Sequence, residues 1–118
     1  LEEIRAQLER LASTALLEER VAADAEFHRM VTAAAGNEVL SALLEALATS
    51  GVAARIWAWR QEAGQVEEGI EEHARILEAL EARDAELART LAGAHLASAE
   101  RLKRRLESEE RSTGAAAS

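Results

Sequence analysis

Apolar residues recur every three or four positions along most of the chain, which is the spacing of one face of an α-helix. This period predicts five helical segments, over about residues 1–20, 22–35, 37–62, 65–82 and 85–111. The apolar face of each segment is expected to turn inward against the others. In chain order, these faces are formed by Leu1, Ile4, Leu8 and Leu11; Phe27, Met30, Val31 and Ala34; Leu40, Leu43, Leu44, Leu47, Val52, Ile56 and Trp59; Ile70, His73, Leu77 and Leu80; and Leu87, Leu91, His95, Ala99 and Leu102.

Residues that interrupt or cap helices stand between these segments. Ser13-Thr14 is an expected interruption of the first segment, and Thr49-Ser50-Gly51 an expected kink or division of the third. Gly36 fits the end of the second segment because glycine adopts positive φ without a steric penalty, and Asn37 fits the N-cap that follows. Two further residues are expected to end the third segment and to cap the fifth, respectively: Gly64 and Asp84.

The composition agrees with an all-α domain. Ala, Leu, Glu and Arg dominate, all of them strong helix formers, and the 118 residues include no proline. The formal net charge of −8 argues against a surface that grips nucleic acid or an anionic membrane, because both require a basic patch. No apolar run approaches about 18 residues and no secretory signal pattern is present, so we expect a cytoplasmic protein without membrane contact. The absence of cysteine excludes a disulfide framework and cysteine-ligated zinc.

All three histidines of the chain fall on the apolar faces of predicted helices, where histidine is uncommon. His28 follows Asp24 by four residues, a spacing that turns both side chains toward one point beside a helix. His73 and His95 come from two other helices. Helical bundles form internal metal sites from ligands that converge in this way. Asp24, His28, His73 and His95 are therefore candidate ligands of a first-row divalent metal such as Zn, Ni or Mn.

Each of these residues also has an ordinary structural explanation. A single histidine on an apolar helix face is more often a hydrogen-bonded core residue than a ligand. Asp24 lies near a helix start, where an acidic residue is typical of an N-cap or an exposed position. The joint pattern of the four residues leaves both a metal site and a metal-free core open. The acidic pairs Glu67-Glu68 and Glu71-Glu72 are expected to be solvated.

Around these residues the chain resembles the FCD domain, the C-terminal effector-binding domain of FadR-type GntR transcriptional regulators. The resemblance covers about residues 22–107. It depends on D-x-x-x-H with Phe before the His, then A-A-G-N, then E-H-x-x-I-L-x-A-L-x-x-x-D, an Ala, and H-L. The matching residues are Asp24, Phe27-His28, Ala34-Ala35-Gly36-Asn37, Glu72-His73, Ile76-Leu77, Ala79-Leu80, Asp84, Ala88 and His95-Leu96.

The resemblance implies an antiparallel bundle of about six helices with an internal cavity, in which the aspartate and three histidines bind a divalent metal. In this family a small organic acid binds beside or onto the metal, and the regulator is a dimer that contacts DNA through an N-terminal winged-helix domain. No winged helix is present in this chain, so we expect that domain in a longer protein. We expect the FCD-like domain over residues 1–111 and a flexible tail over residues 112–118.

Four residues are candidates for contact with the acid. Arg55 and Arg60 are considered because a guanidinium group suits a carboxylate, although each arginine also fits a solvated position beside an acidic residue. Arg55 is favoured because it adjoins the inward stripe of the third segment. Thr32, one turn after His28, either lines the cavity or bonds its own helix backbone. Asn37 is either a contact or a cap.

Two other function classes remain open. A metal-dependent enzyme would use the same ligands to activate water or oxygen. No second acid or base is evident near the motifs, so we expect no enzymatic activity. A metal-free helical dimerisation module would tolerate the replacement of its three histidines by Leu or Gln.

Overall fold

The computed structural model describes the backbone of residues 2–35 and 51–117, and the side chains of residues 2–34 and 51–112. Within these ranges the chain forms five α-helices: α1 (Glu2–Ser13), α2 (Leu17–Ala35), α3 (Val52–Ala63), α4 (Val66–Glu81) and α5 (Ala85–Ala117). The all-α prediction is confirmed. The expected Gly36 and Asn37 boundary and the first part of the third predicted helix lie outside the described residues, and the count of about six helices stays a prediction.

The chain breaks between α1 and α2 at the predicted interruption, but residues 17–20 belong to the second helix rather than the first. Arg20, in the first turn of α2, contacts the end of α1 at this chain reversal. Its guanidinium group donates hydrogen bonds to the backbone oxygens of Leu11, at 3.2 Å, and Thr14. Carbonyl groups at a helix C-terminus lack partners within the helix, so a buried cation satisfies them well. The Thr14 hydroxyl accepts a hydrogen bond from the Leu16 amide at 3.2 Å.

Two other predicted helix boundaries agree with the structure. Gly64 ends α3 with φ of 69°, and its amide donates to the backbone oxygen of Arg60. This left-handed conformation is one that glycine adopts without strain. Asp84 caps α5, because its Oδ1 accepts a hydrogen bond from the Leu87 amide at 3.0 Å.

Short connections join packed neighbours, so consecutive helices such as α1 and α2, or α4 and α5, run antiparallel. The core contains two apolar clusters. The first is built from Ile4, Phe27, Val31, Ile76, Leu77 and Ala92, and the second from Leu11, Ala23 and Trp57. His73 lies between them, with its ring centroid 5.1 Å from that of Phe27 and 5.9 Å from that of Trp57.

In two helices, one residue of the predicted inward face is not the residue that the structure buries. In α3 the buried tryptophan is Trp57, whereas Trp59 is only partly buried, so the expected inward position of Trp59 was wrong. In α5 the buried positions are Ala88 and Ala92, and Leu87 is 45% exposed. Small alanines allow α5 to lie close against α4. Neighbouring helix positions differ by about 100°, so the burial of Ala88 turns Leu87 toward solvent.

The last helix continues to Ala117, beyond its predicted end at Arg111. Alanine has the highest helix propensity of all residues, so Ala115 to Ala117 extend a helical backbone that the lack of apolar periodicity did not predict. The domain boundary itself stays a prediction. In the described ranges no helix combines the length and the apolar character that a membrane span requires.

Candidate metal centre

Three helices bring the four predicted ligands together. Asp24 and His28 lie one turn apart on α2, His73 lies on α4 and His95 on α5. Asp24 Oδ1 is 2.6 Å from His73 Nε2 and 2.9 Å from His28 Nε2. The Nε2 atom of His28 is in turn 3.1 Å from that of His73 and 3.3 Å from that of His95. The three histidines can therefore offer ligand atoms that lie within 4.8 Å of one another.

The outer ring nitrogens of two histidines are fixed by acceptors. His73 Nδ1 donates to the backbone oxygen of Gly69 at 2.6 Å, and His95 Nδ1 donates to Glu72 Oε2 at 3.1 Å. Carbonyl and carboxylate oxygens only accept hydrogen bonds, so each Nδ1 carries a proton. In a neutral imidazole the lone pair then lies on Nε2, which is the atom that faces the cluster. Metal-binding histidines are held in the same manner in proteins.

The short contact between Asp24 Oδ1 and His73 Nε2 indicates that these residues fit a metal. Both atoms are acceptors when the imidazole is neutral, and they are 2.6 Å apart. Two acceptors at this distance in a buried place require a positive charge between or beside them. A divalent cation would supply that charge, and a set of imidazole nitrogens and a carboxylate suits Zn, Ni or Mn. A proton on His73 Nε2 is the metal-free alternative.

Asp24 is buried, and its second oxygen has a separate partner. The indole Nε1–H of Trp57 donates to Asp24 Oδ2 at 3.0 Å. Burial alone raises the pKa of the Asp24 carboxyl group. Charge interactions with His28 and His73, together with hydrogen bonds to them, outweigh burial and hold that pKa well below its ordinary value. Asp24 is therefore ionised, and it lies buried inside α2 rather than at an N-cap or in an exposed position.

Glu72 is a site residue that the sequence analysis assigned to a solvated face. Its Oε2 accepts from His95 and is 3.5 Å from Arg60 Nη2. The hydrogen bond from His95 lowers the pKa of Glu72 against the opposing effect of burial. Glu72 is the residue before His73 in the quoted E-H pair, and that adjacency was the signal for its role. The sequence analysis also did not identify Trp57 and Gly69 as residues of the site, because neither side chain is a metal ligand.

The four candidate effector contacts fall in different places. Arg60 lies beside the cluster through Glu72, with only 11% of its side chain exposed. Arg55 instead forms an ion pair with Glu110 of α5, with 2.8 Å between Nη2 and Oε1. Thr32 donates to the backbone oxygens of its own helix at 3.0 and 3.1 Å, the local alternative given above. Asn37 lies outside the described residues. Arg60 thus lies beside the cluster and Arg55 beside α5, while the contacts with an effector and the internal cavity stay predictions.

Comparison with known proteins gives one finding about the family. The model of the FCD domain matches residues 1–98 of the chain, which include the four candidate ligands, Trp57 and Glu72. No curated protein and no solved structure matches the chain. The match spans α1 to α4 and the part of α5 that contains His95.

Proposed function

The chain belongs to the FCD domain family of effector-binding domains in GntR-type regulators, and on this basis we propose that it senses a small organic acid at a buried divalent metal. Asp24, His28, His73 and His95 would hold the metal. The observation that supports this most directly is the approach of three imidazole nitrogens to one another, with Asp24 Oδ1 close to those of His28 and His73.

When bound, the metal supplies a Lewis-acidic centre that attracts a carboxylate group. The protein contributes orientation and charge. Gly69 and Glu72 fix two imidazole rings through their Nδ1 atoms. Arg60 places a guanidinium group beside Glu72, where it would bind the carboxylate of an incoming acid and exchange its contact with Glu72 for one with the effector.

Effector binding would have to be communicated to a DNA-binding domain. We propose that the effector acts through a winged-helix DNA-binding domain of a longer protein and that the regulator is a homodimer. This follows from the family and not from a contact in the described residues. The same membership is the reason that we propose a sensor and not a metal-dependent enzyme.

A metal-free helical module is the second candidate, and one observation favours it. A proton on His73 Nε2 would also satisfy the contact with Asp24, since the 2.6 Å distance suits a charge-assisted hydrogen bond. In that case the cluster is a structural ion pair within the core. The two candidates differ in metal content and in the response of the fold to metal.

The deciding experiment is elemental analysis and equilibrium dialysis of the purified protein with Zn²⁺, Ni²⁺ and Mn²⁺, before and after treatment with a chelator. We expect about one metal per chain. His73→Ala should lose stoichiometric binding because it removes a central ligand, whereas Glu71→Ala removes an exposed carboxylate of the same helix and should bind as the native protein does. The metal site would be contradicted if the native protein binds no metal in dialysis, or if His73→Ala binds as much metal as the native protein does.

Binding of the acid is tested separately with the metal-loaded protein and a panel of mono-, di- and tricarboxylates in a calorimeter. Arg60→Ala should weaken binding of any acid that the native protein takes. Arg55→Ala is the matched control, because Arg55 lies on the same helix but pairs with Glu110. Equal affinities of the two variants would contradict the role given to Arg60.

A further inference from the structure

Trp57 has polar and charged contacts in addition to its packing in an apolar cluster. Its side chain is almost completely buried, with 2% of the residue exposed. The guanidinium carbons of Arg20 and Arg60 lie 5.6 and 5.9 Å from the ring centroid, so two cations from different helices contact the indole. A Cβ atom at Gly69 would lie 2.9 Å from Trp57 Cη2, which shows how closely the ring packs on α4.

This firmly held ring directs its one polar group at Asp24. The Nε1–H of Trp57 donates to Oδ2 at 3.0 Å, while Oδ1 of the same carboxylate faces His28 and His73. An ionised carboxylate has two oxygens and can bind a metal through one or both. A strong donor on Oδ2 makes the two oxygens inequivalent, because Oδ2 would have to leave a buried hydrogen bond to reach a metal.

We propose that Trp57 is a positioning residue that limits Asp24 to one metal-binding oxygen and thereby keeps a coordination position open for the effector. The inference rests on the proposed metal site. It assigns Trp57 a part in the coordination number and affinity of the metal, although Trp57 is not a ligand. A tryptophan that only fills the core would have no such effect.

The test compares Trp57→Phe with Trp59→Phe, using Co²⁺ as the probe. Phenylalanine keeps an aromatic ring but has no N–H group. Trp59 is the matched control, because it lies on the same helix, is only partly buried and contacts Arg105 of α5. Visible absorption by Co²⁺ weakens as its coordination number rises, so the spectrum reports whether Oδ2 has joined the ligands.

We expect Trp59→Phe to match the native protein in its spectrum and its Co²⁺ affinity. In Trp57→Phe the absorption per bound Co²⁺ should fall, and the dissociation constant should rise about 10-fold or more, as for the loss of other groups that orient a ligand. Identical spectra and affinities for the two variants would overturn the inference. Absence of Co²⁺ binding by the native protein would instead overturn the metal site itself.

A second measurement does not depend on whether Trp57→Phe folds. In Trp59→Phe a single indole N–H signal remains in a ¹H–¹⁵N NMR spectrum. It should lie downfield of a free indole, exchange slowly with solvent and shift as one equivalent of Zn²⁺ is added. A signal at the free-indole position that Zn²⁺ leaves unchanged would show that Trp57 does not bind Asp24, and it would overturn the inference.

Discussion

Alanine at Gly69 should make the fold less stable than alanine at Gly93. Both glycines lie inside helices, Gly69 in α4 and Gly93 in α5. A Cβ at Gly69 would lie 2.9 Å from Trp57 Cη2 and 3.1 Å from Arg60 Cδ and Nε. Among the described residues, a Cβ at Gly93 meets no atom within 4 Å. The two substitutions therefore make the same change in backbone preference and differ in what the new atom contacts.

The magnitudes follow from these contacts. Alanine is favoured over glycine in a helix interior by about 0.8–1.0 kcal/mol, so Gly93→Ala should stabilise the fold by nearly that amount. Gly69→Ala gains the same term but overfills a packed site, which costs typically about 1–3 kcal/mol. The net effect of Gly69→Ala should lie between about 0 and 2 kcal/mol of destabilisation. The variants should thus differ by about 1–3 kcal/mol.

Urea unfolding followed by circular dichroism, with chelator present, measures this difference directly. Thermal unfolding should show a melting temperature for Gly69→Ala that is lower than that of Gly93→Ala by at least about 4 °C. The displaced Trp57 ring should also weaken metal binding in Gly69→Ala alone. If Gly69→Ala is as stable as Gly93→Ala, the close packing of Trp57 on α4, and the support of Asp24 that depends on it, would be refuted.

Three further predictions concern the groups around the site. Glu72→Gln keeps an acceptor for His95 but removes its charge, so metal affinity should fall about 10-fold in dialysis, while Glu71→Gln should leave it unchanged. Arg20→Met leaves the carbonyls at the end of α1 unpaired and should lower the free energy of unfolding by about 1.5–3 kcal/mol in urea. Arg5→Met, which removes an exposed ion pair, should change it far less. In chelator, the lowered pKa of Asp24 stabilises the fold above the ordinary carboxyl pKa of about 4. This contribution should be lost as the pH falls through the lowered pKa. In Asp24→Asn the free energy of unfolding should therefore change less with acidic pH than in the native protein.

The sequence predicted the parts of this molecule that depend on local spacing. The helical period located the helices, and the four-residue step from Asp24 to His28 placed both on one side of α2. Gly64 and Asp84 were identified as boundaries because their roles depend on their own backbone or side chain. His73 and His95 became candidates because they lie on the apolar faces of two other predicted helices, and the family match confirmed the resemblance to the FCD domain.

The parts that the sequence did not predict depend on contacts between helices. Trp57 and Trp59 are chemically identical, and only the packing of α3 against α2 and α4 decides which one is buried. In the sequence, Glu72 is one of several acidic residues on α4 that are expected to be exposed. Its role depends on the packing of α5, which places His95 Nδ1 3.1 Å from Glu72 Oε2. Gly69 gave no signal because its function is to leave space. Such residues are recognised only when the neighbouring helix is in place.

The location of the cluster connects the candidate function to the fold. Asp24 and His73 are buried beside Phe27 and Trp57, where unpaired charge is strongly unfavourable. A cation at this point would link α2, α4 and α5 at once, since each of these helices contributes a ligand atom. The candidate ligand atoms approach one another only when the three helices are packed, so the unfolded chain has no equivalent site, and the free energy of metal binding would add to that of folding. A small acid that binds such a metal would act on all three helices together, which is what a sensor domain requires.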